Sequence, residues 1–98
     1  MSDLPRLSEM HAETEQNLID FLQADLALCT TFADLVLTEL SLEDWQAAQS
    51  ALAKSEEGYA TVARLLTKLK DGRHRLAIEQ QLNDLRTKLD SLHPHFRP

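Results

Sequence analysis

From Ile19 to Leu40 an apolar residue returns at every third or fourth position: Ile19, Leu22, Leu26, Cys29, Ala33, Val36 and Leu40. That spacing keeps one face of an α-helix apolar over the whole interval, and the two-residue period of a strand does not reproduce it. A second row, Leu18, Phe21, Leu28, Phe32 and Leu35, runs beside the first, leaving Asp20, Gln23, Thr30, Thr31, Asp34 and Thr38 on the remaining face. So wide a stripe calls for two neighbours, not one.

Ser41 is followed three residues later by Asp44, a capping-box-like pair that predicts a new helix starting there. Its seam is Trp45, Ala48, Leu52, Ser55, Tyr59, Val62, Leu66 and Leu69, which makes Trp45 the first core residue of that helix. The phase runs straight through Gly58, which reads as an internal weak point costing roughly 1 kcal/mol relative to alanine. Beyond Gly72 the register slips. Ile78, Leu82, Leu85, Leu89 and Leu92 form a third seam that does not continue the second, so Gly72 is expected to end the second helix in a left-handed conformation. Pro94 disfavours helical geometry at His93 and closes the third. The chain has two glycines and three prolines, and Pro5, Pro94 and Pro98 lie near its ends, so the interior is almost free of turn punctuation. The expected fold is all-α: one domain, an antiparallel up-down-up three-helix bundle with helices near residues 8–40, 42–70 and 73–92. Residues 1–7 and 93–98 are expected to be flexible or extended tails.

Charge divides the chain. Residues 1–57 hold 12 acids and 2 bases, residues 58–98 hold 4 acids and 8 bases, and the whole carries a net charge of −6. Most of the surface should repel nucleic acid. The single cysteine, Cys29, excludes an internal disulfide and fits a reducing compartment, so a cytoplasmic location is expected. The start "MSDLPRLSEMHAETEQ" lacks the pattern of a secretory signal. "LALCTTFADLVLTEL", interrupted by Thr30, Thr31 and Asp34, reads as too short and too polar to span a membrane.

Phe32 and Leu35, followed by Trp45, Ala48, Leu52 and Ser55 at spacings of three, four and three, resemble the helix-turn-helix unit of the tetratricopeptide repeat family. The likeness covers residues 29–62, about a third of the chain. Val36, Glu39 and Glu43 depart from it, standing where the family has a small residue, an aromatic and glycine. With no second copy in the sequence, a solenoid is excluded. Such repeats are protein-binding scaffolds, so the resemblance implies a protein partner.

Three clusters are candidate sites. The run "RLLTKLKDGRHR" gathers Arg64, Lys68, Lys70, Arg73, His74 and Arg75. If the first two helices pair antiparallel, it faces the acidic start of the first helix, Glu9, Glu13, Glu15 and Asp20, and is matched internally. Arg73, His74 and Arg75, at the start of the third helix, are the residues left to hold an anion. His93 and His95, or His11 with His74, offer two imidazoles each, too few for a metal site. Cys29 lies on the inner seam as an apolar filler, and no nucleophile or general base is held by partners, so neither catalysis nor a cofactor is implied.

Taking residue 70 as level with residue 12, a third helix of about 20 residues stops near residues 31 and 51. The hairpin tip then projects, exposing Phe32, Leu35, Val36, Leu37, Leu40, Leu42 and Trp45. An apolar set of that size needs a cover. Phe96 on the tail could fold over Trp45, but a single side chain is too little for so broad a stripe. A second copy, forming a homodimer through the first helix and the tip, or another protein partner, is the expected cover. The chain thus reads as a small non-enzymatic helical protein that self-associates or binds protein, with no small-molecule substrate. The alternative is an anion-binding or regulatory module using the basic turn at 64–75.

Overall fold

The computed structural model describes the backbone of residues 3–96 and the side chains of residues 14–96. Three α-helices follow one another, α1 (Asp3–Ser41), α2 (Trp45–Leu66) and α3 (Gly72–Leu92), and a 3-10 turn at His93–Phe96 extends the last. Among the described residues there is no strand. Helix α1 starts before the expected residue 8, and the 93–96 segment continues the helical path of α3 where a loose tail was expected.

The joint between α1 and α2 differs in its chemistry from the expected capping box. The Ser41 hydroxyl donates to the Leu37 carbonyl (2.9 Å), so Ser41 belongs to the last turn of α1. The chain turns at Glu43, whose φ of 60° is left-handed. Asp44 N–H donates to the Glu39 carbonyl (2.9 Å) and Glu43 N–H to that of Leu40 (3.0 Å). These two bonds are the Schellman arrangement, here with glutamate where glycine is usual. Asp44 then caps α2, its carboxylate accepting from Ala47 N–H at 3.0 Å.

The second joint does without a left-handed glycine. Gly72 is the first residue of α3, and neither glycine has a positive φ. Helix α2 ends at Leu66, earlier than expected. Lys68 and Leu69 close 3-10-type bonds to the carbonyls of Leu65 and Leu66 (2.9 and 3.0 Å), and Asp71 caps α3 by accepting from the Arg73 and His74 amides. The Glu15 carboxylate reaches across from α1 to accept from Lys70 and Asp71 N–H at 2.9 and 3.4 Å. The acidic start of α1 therefore does meet the basic turn, through backbone amides. The side chains of Glu9, His11 and Glu13 lie outside the described residues.

The core follows the three seams. Ile19, Leu22, Leu26, Cys29, Ala33 and Val36 of α1 are buried with Ala48, Ala51, Leu52, Val62 and Leu66 of α2, Leu69, and Ile78, Leu82, Leu85, Leu89 and Leu92 of α3. On α2 the residues at 48, 51, 55 and 58 are all small: Ala, Ala, Ser and Gly. They permit close approach of α1. Ser55 is fully buried and its hydroxyl donates to the Cys29 carbonyl at 2.8 Å, which satisfies the one buried polar side chain among the described residues. A Cβ added to Gly58 would overlap the Cys29 sulfur. Gly58 is thus a packing requirement and not merely a weak point in the helix.

Gly58→Ala is therefore expected to lower stability by about 2 kcal/mol through overpacking, although alanine is the better helix former by about 1 kcal/mol. Adding Cys29→Ala removes the clashing sulfur, and the double variant should be more stable than Gly58→Ala alone in urea unfolding. A Gly58→Ala protein at least as stable as the parent would contradict this close approach.

Candidate protein-interaction surface

The outer face of α1 carries a row that the buried seam leaves behind. Phe21, Leu28 and Leu35, with Leu42 in the turn just past the helix end, stand seven residues apart and are 49, 52, 41 and 70% exposed. Seven residues fall about 20° short of two full turns, so the row runs nearly straight along the helix. Between its members, at spacings of three and four, lie Ala24, Thr31 and Thr38. The Thr31 hydroxyl donates to the Ala27 carbonyl at 3.0 Å, which spends its donor within the helix.

The structure redistributes the residues expected at the tip. Leu35, Leu37 and Leu42 are exposed, Phe32 and Leu40 are half-buried, and Val36 is fully buried in the core. Val36 leaves the surface set because it lies in the Ile19–Ala33 seam, which continues unbroken to it. Trp45 is 54% exposed and so is not a core seam residue. At the first position of α2 it lies beyond the main packing, and its ring meets Phe96 edge-on, with centroids 6.3 Å apart and planes at 85°.

Phe96 gets there because α3 reaches further than the expected level of residue 31. Residue 15, not 12, lies beside residue 70, and Lys88 pairs with Asp34. The 3-10 turn then adds about 2 Å per residue. One side of Trp45 is therefore covered from within the chain.

The border of the row is acidic. Between Thr14 and Ser41 the sequence has Glu15, Asp20, Asp25, Asp34 and Glu39 and no lysine or arginine. Glu15 is engaged at the second joint and Asp34 with Lys88, while Asp20 accepts from Gln16 Nε2 at 2.9 Å. Lys54 of α2 lies over the Phe32 ring at 5.5 Å. Burial raises the Asp25 carboxyl above its usual range. Burial, and then the Asp25 charge, push the Cys29 thiol up to about 11. At neutral pH that thiol is protonated, which is the opposite of an activated nucleophile.

A polar cluster that sequence reasoning missed joins α2 to α3. Arg86 grips Glu56 through both terminal nitrogens (2.9 and 2.7 Å) and donates from Nε to Asp90 at 2.9 Å. His93 Nε2 lies 2.8 Å from Glu56 Oε1, and the guanidinium sits 4.9 Å from the Tyr59 ring centre. The bond from Arg86, with help from His93, holds the Glu56 carboxyl below its usual range despite partial burial. The i,i+4 spacing of Arg86 and Asp90 was a visible signal; the partnership with Glu56 depends on helix pairing that no local pattern encodes.

At the basic turn, Asp71 Oδ1 accepts from the amides of Arg73 (2.9 Å) and His74 (3.4 Å), and Asp71 Oδ2 lies 3.0 Å from His74 Nδ1. Bonds from the His74 ring and the two amides keep the Asp71 carboxyl below its ordinary value. A carboxylate of the chain itself thus occupies the start of α3, where an external anion would have to sit. The side chains of Arg73 and Arg75 remain exposed beside it. His93 is drawn to Glu56, its Nε2 lying 2.8 Å from Oε1. Among the described residues no group of three or more His, Cys, Asp or Glu side chains is arranged to hold a metal.

A groove of about 730 Å³ lies between α1 and α3, floored by Leu26, Ala27 and Leu85 and rimmed by Gln23, Thr30, Gln81, Asp84 and Lys88. By length and composition alone Thr14–Ser41 is long and apolar enough to cross a membrane, with a mean hydropathy of 1.3 over its most apolar stretch. Thr30, Thr31 and Asp34, expected to make the segment too polar to span, are outweighed by the leucines within that stretch. Comparison with known proteins finds no family model that matches the chain and no match among curated proteins or solved structures.

The lowered Glu56 carboxyl gives a pH prediction. Stability from this contact is fully present above the ordinary glutamate range and is lost as pH falls through the lower value that Glu56 has in the fold. Glu56→Gln should cost about 1 kcal/mol at pH 7, the scale of a good but partly solvated ion pair. In urea unfolding the gap between variant and parent should narrow between pH 5 and pH 3. An equal gap at both ends would show that Glu56 contributes through packing and not through charge.

Proposed function

We propose that this chain is a small, non-enzymatic helical protein that makes protein–protein contact through the outer face of α1 and the hairpin tip. We infer that its three helices form an antiparallel up-down-up bundle. That arrangement is supported by the pairings of Glu15 with Lys70, Cys29 with Ser55, Asp34 with Lys88 and Glu56 with Arg86.

The observation that carries the functional reading is the seven-residue row Phe21, Leu28, Leu35 and Leu42, left in solvent on a helix whose other seam is buried. A soluble helix rarely keeps two apolar seams unless each has a neighbour. The second neighbour is a protein, either a second copy or another chain. The likeness of residues 29–62 to a tetratricopeptide-type unit leans the same way. We place the protein in the cytoplasm, with α1 against protein and not lipid, because acids border the row and the lone cysteine is reduced. The Asp71 carboxylate at the start of α3 counts against the anion-binding alternative at Arg73, His74 and Arg75.

Charging the row tests this reading. Leu28→Glu with Leu35→Glu replaces exposed side chains, so helix content and the urea midpoint should stay within about 0.5 kcal/mol of the parent. Sedimentation and affinity capture from the native host should show complexes, with itself or with another protein, that the double variant loses. Identical complexes in parent and variant would contradict the reading.

A further inference from the structure

We propose that the occupant of the α1 row is an amphipathic helix of another protein whose apolar seam is flanked by lysine and arginine, not a second copy of this chain. The inference rests on the reading of α1 as an interaction surface and adds the chemistry of the partner.

The row has the layout of a coiled-coil strand. Phe21, Leu28, Leu35 and Leu42 occupy one seam position of each heptad, and Ala24, Thr31 and Thr38 occupy the other. The small second set lets a facing helix approach closely, and the row spans about 32 Å at 1.5 Å per residue. Three heptads of partner helix would cover it.

The residues beside such a seam decide what pairs with it. On one side they are Asp20, Ala27, Asp34 and Ser41; on the other, Asp25, Phe32 and Glu39. Every charged member is acidic. Asp34 is already matched by Lys88, which leaves Asp20, Asp25 and Glu39 without a basic neighbour on their own helix.

Pairing α1 with α1 of a second copy, in either direction, sets acidic or neutral α1 residues against one another, and the nearby bases Lys88 and Lys54 are already engaged with Asp34 and the Phe32 ring. Like charges across a helix pair are unfavourable. A facing helix with lysine or arginine beside its seam meets these acids with opposite charge on both edges. An anionic membrane surface is repelled by the same acids.

The test uses the full-length protein and two labelled helical peptides of three heptads with identical leucine seams. One has lysine and the other glutamate at all flanking positions, each used below its self-association concentration. Fluorescence anisotropy should show the lysine peptide binding at least about tenfold more tightly, the sum of a few ion pairs. The preference should shrink in high salt and in Asp20→Asn/Asp25→Asn/Glu39→Gln, and binding should vanish in Leu28→Glu/Leu35→Glu.

Equal binding of both peptides, lost in the leucine variant, would overturn the basic partner while leaving the interaction surface intact. Lysine-peptide binding undiminished by the leucine variant would mean simple attraction to an acidic chain and would overturn the inference. So would a concentration-dependent dimer in sedimentation that Leu28→Glu/Leu35→Glu dissociates, or binding of the protein to phosphatidylglycerol vesicles through the row. Failure of both peptides to bind would overturn the inference, and the reading beneath it falls as well only if sedimentation and capture from the native host also show no complex.

Discussion

Where Gly58 passes Cys29, the cysteine sulfur fills the space a methyl group on residue 58 would need, and the buried Ser55 hydroxyl bonds to the Cys29 carbonyl beside it. Such proximity is possible because α2 turns small residues, Ala48, Ala51, Ser55 and Gly58, toward one stripe. It fixes how α1 is rotated. With Leu22, Cys29 and Val36 turned inward, Phe21, Leu28 and Leu35 have to point outward, since the two rows lie on well-separated faces of one helix. The exposed row is thus a geometric result of how α1 packs against α2.

The third helix is positioned by polar contacts as well as by its leucines. The two-pronged Arg86–Glu56 pair, backed by Asp90, His93 and Tyr59, ties its C-terminal half to α2, and Lys88 ties it to Asp34 of α1. These contacts carry the chain forward so that the 3-10 turn delivers Phe96 to Trp45. The tip is therefore closed on one side by the end of the same chain. Among the described residues, Phe21, Leu28 and Leu35 on the outer face of α1 stay exposed beside these contacts.

The seams were legible because burial imposes a period, and the period is written in residue type. All five residues expected in the α3 seam are buried, as are six of the seven in α1, with Leu40 half-buried. What period alone does not encode is where an element ends and what it meets. Trp45 fits the α2 phase but stands at the helix's first turn, beyond the neighbours that would bury it. The turn at Glu43 takes a left-handed conformation that glutamate rarely adopts, so no residue type announced it. Gly58 looked like a helix defect because the sulfur that requires it lies 29 positions away in the sequence. The exposed row was half visible, since Phe21, Leu28 and Leu35 were on a recognised second stripe, but only the rotation of α1 shows that the stripe faces solvent.

The central claim is that one helix carries two apolar seams, one closed by its own chain and the other open. Solvent paramagnetic relaxation, read on assigned leucine methyl groups with a soluble paramagnetic probe on dilute protein, tests it directly. Strong enhancement is expected at Leu28, Leu35 and Leu42 and almost none at Leu22, Leu26 and Leu89. Leu28 and Leu35 methyls as protected as those of Leu22 would contradict it, because the outer seam would then be covered within the single chain.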